Sequence, residues 1–151
     1  WNTDLDANEQ FNKAIDFCTP ILLNAIDGSI SAIEAEKIVQ KAFDNREVDN
    51  ILILDKFCPW KRHLRNYDED ESIIYVIFKD LENGYRVQAV SEADSRESIK
   101  EFPREWAGKD ADMINALVDI DDAIFVHPGG FIAGTRSLES AIKMAELALV
   151  Y

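Results

Sequence analysis

The chain has 151 residues, an apolar fraction of 47% and a net charge of −13 from 16 basic and 29 acidic side chains. That length suits one domain with a proper core, and that apolar content excludes a disordered chain. The acidic balance argues against broad electrostatic binding of nucleic acid, which needs excess basic charge, but leaves room for a local basic cleft.

The first third reads as helical. Ala7, Phe11, Ile15, Cys18, Leu22 and Ile26 recur at steps of three and four. Pro20 either kinks one long helix or opens a second with Thr19 as its cap. Asp27-Gly28-Ser29 reads as a break. Ser31 and Glu34 then form a capping box for a helix striped by Ala35, Ile38, Val39, Ala42 and Phe43. Ile51–Leu54 is a strand candidate, and a loop enters a short helix at Pro59. Asp68-Glu69-Asp70-Glu71 reads as an acidic surface turn. The apolar run from Ile73 to Phe78 fits a strand covered on both faces. Tyr85, Val87 and Ala89 alternate with polar residues, and Asn83-Gly84 favours a hairpin between the two runs. Residues 91–108 are polar and irregular, and a loop of that length in a compact domain is often functional. A short helix spans Ala111 to Val118, Ala123–Val126 is the last strand, and Leu138 to Leu149 stripe the final helix. The expected class is α+β (mixed α/β) in a single domain, 1–151. Helices occupy about 5–48, and a sheet-containing part with an antiparallel hairpin occupies about 50–151.

The segment from Ile124 to Ser137 carries the functional signal. It reads as a strand, a glycine-rich turn and a helix capped by Ser137. Outward backbone N–H groups beside a helix start make an anion cradle, and His127 and Arg136 bracket it with donors. The alternative is a tight connector that needs glycine for backbone reasons alone. Lys61, Arg62, His63 and Arg65 are a second basic group, and Arg104 could join Arg136. Trp60 and Trp106 could stack on a base, or anchor loops against the core. With only two histidines and no Asp-rich motif beside either, no metal site or catalytic set is visible, so the chain reads as a binding half. Cys18 and Cys58 lie far apart without a Cys-x-x-Cys, so free thiols in a reducing compartment are expected. No apolar run reaches the ~20 residues of a membrane helix, and no membrane partner is expected. The start, Trp1-Asn2-Thr3-Asp4, has neither a signal peptide nor an initiator Met, which suggests a piece of a longer protein.

Four ordered blocks resemble the Myg exonuclease family: Cys58-Pro59-Trp60-Lys61 with His63-Leu64, Tyr85 to Val90, Pro103 with Trp106 and Gly108, and Phe125-Val126-His127 through Gly130 and Gly134 to Ser137 and Glu139. The resemblance covers nearly the whole chain. Ala133 and Ser140 stand where the family often has glycine. The resemblance implies the DHH phosphoesterase superfamily, a hydrolase of the 3′-5′ RNA exonuclease type. It places the metal motifs, with a divalent ion such as manganese, in an absent N-terminal half, so this chain would bind no cofactor and carry no catalytic residue. The chain would be the C-terminal substrate-binding domain. His127 would position the substrate, the Gly129 and Gly130 amides would bind phosphate, and Arg136 would neutralise charge. Arg104 and Trp106 would close the cleft or stack a base, with Lys61 and Arg62 behind them. Expected partners are RNA or a nucleotide and the protein's own N-terminal DHH-type domain. The alternatives are a non-catalytic nucleotide-sensing domain and a structural or oligomerising domain. The address would be cytoplasmic for a prokaryotic source, mitochondrial or nuclear for a eukaryotic one.

Overall fold

The computed structural model describes residues 4–92, 95 and 97–151. Trp1, Asn2 and Thr3 of the start, and Ala93, Asp94 and Arg96 of the 91–108 loop, lie outside the described residues. The elements are α1 (Ala7–Asp44), β1 (Ile51–Leu54), α2 (Trp60–Tyr67), β2 (Tyr75–Lys79), β3 (Tyr85–Ala89), α3 (Ala111–Val118), β4 (Ala123–Val126), β5 (Ile132–Thr135) and α4 (Leu138–Val150). The class is the expected α+β, a mixed five-stranded sheet with helices on both faces. Its strand order is β1-β2-β3-β5-β4. β1 and β2 are parallel, as their α2 crossover requires, and the other pairs are antiparallel.

β2 shows why the apolar run is continuous. Tyr75 and Ile77 point into a core shared with α3 and α4, through Ile114, Val118, Met144 and Ala148. Val76 and Phe78 point the other way, onto Trp60 and Leu64 of α2 and onto Ala35 and Val39 of α1. Successive side chains on a strand face opposite sides, so a strand covered twice has no polar face. The Asn83-Gly84 hairpin forms as expected, with Asn83 at φ 64° and Tyr75 opposite Ala89.

Three local expectations change. First, α1 is one helix of 38 residues that runs through both Pro20 and Gly28. Asp6 is its N-cap and accepts from the Glu9 amide at 2.9 Å, so the break at Asp27-Gly28-Ser29 and the Ser31 cap are absent. One glycine costs about 1 kcal/mol against alanine, too little to end a long helix. The Thr19 and Ser29 hydroxyls donate back to the Ile15 and Ala25 carbonyls instead of capping. Second, Asp68 is buried rather than a solvated turn residue. Its carboxylate accepts from the Ser72 amide and hydroxyl and from the Ile73 amide, and so anchors the entry to β2. Third, the C-terminal strand and helix are present, but a further strand, β5, lies between the glycine turn and α4. The turn is therefore a β4–β5 hairpin connection.

Candidate functional site

β4 ends at Val126, and the chain reverses through His127-Pro128-Gly129-Gly130-Phe131 into β5. The His127 amide donates to the Ile132 carbonyl at 2.9 Å, and the Gly130 amide donates to the His127 carbonyl at 2.8 Å. The Gly129 amide donates to His127 Nδ1 at 3.0 Å. Both amides expected to bind phosphate are therefore satisfied inside the turn. Gly130 is needed for its left-handed backbone, φ 65°, where a side chain would strain. A Cβ there would also lie 3.1 Å from Glu101 Cβ.

The 101–108 loop clamps this turn. Phe102 donates its amide to the Gly130 carbonyl at 2.8 Å, and Gly108 donates to the Val126 carbonyl at 3.0 Å. Gly108 has φ 71° and sits against the Pro128 ring. Two segments singled out separately in the sequence thus form one unit. On its surface stand His127, Arg104 and Phe131, all exposed. The His127 and Phe131 rings pack with centroids 4.3 Å apart. Because Nδ1 accepts the Gly129 amide, the imidazole proton belongs on Nε2, which has no protein partner among the described residues. Phe131 was not among the residues expected here; an aromatic flanked by Gly130 and Ile132 carries no sequence mark that separates it from core.

Other expected members are elsewhere. Trp106 is fully buried, tilted against Phe102 and edge-on to Tyr151 at 5.5 Å. It therefore anchors the loop and offers no stacking face, and its buried Nε1 has no partner among the described residues. Trp60 is equally a core residue, under Lys61, whose Nζ lies 5.7 Å from the ring centroid. Lys61, Arg62 and His63 share α2, on the sheet face opposite α3 and α4. Arg136 is at the other end of β5, roughly 13 Å of strand away from the turn. There it lines a hollow with Asp80, Glu82, Asn83, Gly84, Arg86 and Ile124. Asp80 and Arg86 pair at 2.6 Å in that hollow, so one of its two cations is already answered by an acid. Ser137 does cap α4, but its own hydroxyl takes the Ser140 amide at 3.2 Å. The single cradle expected from His127 to Arg136 is thus two separate corners, because four residues of strand come between them.

Gly134 serves a different purpose. A Cβ there would lie 2.6 Å from Arg86 Nη1 and 2.8 Å from Phe125 Cε1. The missing side chain lets the Arg86 guanidinium lie over the Phe125 ring at 5.2 Å.

Among the described residues, no three of His, Cys, Asp or Glu are grouped to hold a metal ion. The two histidines are on different elements, and the acids of the Asp80 and Asp119 corners are engaged by Arg86 and Lys143. These residues do not fit a catalytic metal. Among the described residues, no helix is long and apolar enough to cross a membrane.

The model of an uncharacterised protein family (UPF0160), the MYG1 exonuclease family, matches residues 1–149. The chain belongs to this family. It is 33% identical over 158 residues to a MYG1 protein of Dictyostelium discoideum, covering 96% of this chain and 48% of that protein. It is 34% identical over 161 residues to the MYG1 exonuclease of Homo sapiens, covering 99% of this chain and 43% of that protein. A MYG1 protein of Caenorhabditis elegans is 34% identical over 164 residues, covering 99% and 48%. The chain spans about half the length of these MYG1 relatives. No solved structure matches it.

Proposed function

We propose that the chain is the substrate-binding half of a metal-dependent phosphodiesterase of the RNA exonuclease type, and that the substrate meets it at the His127 turn. The exonuclease names of its relatives support a nucleic-acid substrate. The observation that carries the site is the Gly129–His127 hydrogen bond, which leaves the exposed Nε2–H as a free donor. In this reading Nε2–H donates to a phosphate oxygen, Phe131 receives a base, and Arg104 supplies the cation. Gly129 and Gly130 shape the turn and leave phosphate contact to side chains. Trp106 holds the loop from below. The divalent ion and the bond-breaking chemistry belong to the half of the family that this chain does not span.

The magnitudes suit a partial site. A hydrogen bond to a charged group contributes ~1.5–3 kcal/mol, and stacking ~1–3 kcal/mol, before association costs are subtracted. The chain alone should therefore bind a mononucleotide in about the millimolar range. An NMR titration with AMP tests this. Shifts centred on His127, Gly129, Phe131 and Arg104, with Arg136 silent, are the expected result. Shifts centred on Arg136 and Arg86, or none at millimolar ligand, overturn it.

A further inference from the structure

α1 divides at its middle. Ala35 and Val39 are buried against the sheet, while from Asp4 to Glu34 the residues are exposed, Gln10 being half-buried. That exposed length is about 40 Å of helix. It is not a polar strut. Phe11, Ile15, Cys18, Leu22, Ile26 and Ile33 form one stripe at steps of three, four and seven, with Phe11 66% and Leu22 62% exposed. At 100° per residue this stripe points roughly 130° away from the Ala35–Val39 face, so it is no continuation of the side that meets the sheet. Phe17, Ile21, Leu23 and Ile30 widen the apolar arc to roughly two thirds of the circumference. What remains polar is about a third of the circumference: Glu9, Asp16, Asp27 and Glu34 fall within ~20° of one another, with Lys13, Ser31 and Asn24 beside them. Thr19 and Ser29 turn their hydroxyls onto the helix's own carbonyls.

We infer that this arm is the seat of the other half of the family-length protein, which wraps it and leaves only the acidic strip in water. Three observations choose this occupant over a second copy. The chain covers 48% of its Dictyostelium relative, so that relative carries a domain-sized stretch of about equal length that this chain does not match. A paired copy covers a narrow seam, far less than two thirds of a helix. The arm carries six acids, Asp4, Asp6, Glu9, Asp16, Asp27 and Glu34, against Lys13 alone, in a chain of net charge −13, so two copies repel. The inference shares with the proposed function the idea of a two-part protein, but it does not depend on the His127 turn.

Cys18 lies on the stripe and is exposed, whereas Cys58 is buried, with burial pushing its thiol up despite Lys56. Maleimide labelling therefore reads the arm directly. In the 151-residue chain Cys18 should react at the rate of an open thiol. In the family-length protein, monomeric by light scattering, it should react at least tenfold more slowly, and Leu22→Glu should restore much of the rate. Equal rates in the two proteins overturn the inference. So does slow labelling in the 151-residue chain that tracks a dimer mass, which would make a second copy the occupant. His127→Ala should leave Cys18 protection unchanged while abolishing AMP shifts, so loss of the binding site and loss of the interface are told apart.

Discussion

The two ends of β5 use glycine for opposite reasons. At Gly130 the backbone needs a positive φ, and the space beside it is secondary. At Gly134 the backbone is ordinary strand, and the need is room for Arg86 and Phe125 arriving from β3 and β4. The first is a demand of the local turn, the second of partners 48 and 9 residues away in the chain. A glycine-rich segment that looks like one motif is thus a set of independent requirements.

Substitutions can break this comparison, starting with the largest effect. Gly134→Val should overpack the sheet and cost about 1–3 kcal/mol, near the upper end because Phe125 is boxed in by the strand pair. The check is the urea midpoint at constant slope. Gly130→Ala should cost roughly 1–2 kcal/mol through the left-handed backbone. The sharper test is asparagine, which tolerates that conformation. Gly130→Asn should recover part of the loss, whereas Gly134→Asn should be no better than alanine. Equal ranking at both sites would refute the distinction. His127→Ala should cost ~1 kcal/mol or less, since only the exposed Gly129 amide loses its partner, yet it should remove the AMP response. A stability loss as large as that of Gly134→Val would make His127 a structural residue.

The smallest effect is electrostatic. Lys143 donates to the carboxylate of Asp119 at 2.8 Å and also to its carbonyl, tying α4 to the end of α3. The hydrogen bond and charge of Lys143 hold the Asp119 carboxyl below its ordinary value. A lowered folded-state value gives stability that is present above the unfolded value and lost as pH falls through the lowered one. Lys143→Met should therefore lower stability slightly at neutral pH and flatten the acid end of the curve, so that its difference from the native chain fades below about pH 4. An unchanged acid limb would show that the pair contributes nothing.

Much of the fold was legible because its signals are local. Asn83-Gly84 carries its own turn chemistry, Pro59 starts α2, and the Ile73–Phe78 run announces double burial. β5 was hidden because Ile132-Ala133-Gly134-Thr135 is short and small, and its glycine answers to side chains from other strands. Trp106 misled for the same reason. Its sequence neighbours are polar, while its contacts, Phe102 and Tyr151, are set by the packing of α4 against the loop. The continuity of α1 was obscured by Pro20 and Gly28, residues that often end helices but here lie inside one. At the candidate site the need for glycine was legible, but not which amides the turn would consume.

Pro20 lies in the middle of the exposed arm, where it deletes one helical hydrogen bond. Such points are where long helices bend. The inner length of α1 is fixed to the sheet by Ala35 and Val39, and a bend at Pro20 would redirect the outer length. A ~5° bend there would move the first turn, some 20 Å away, by about 2 Å. A bend at this proline would therefore change how anything held by the outer length lines up with the His127 turn.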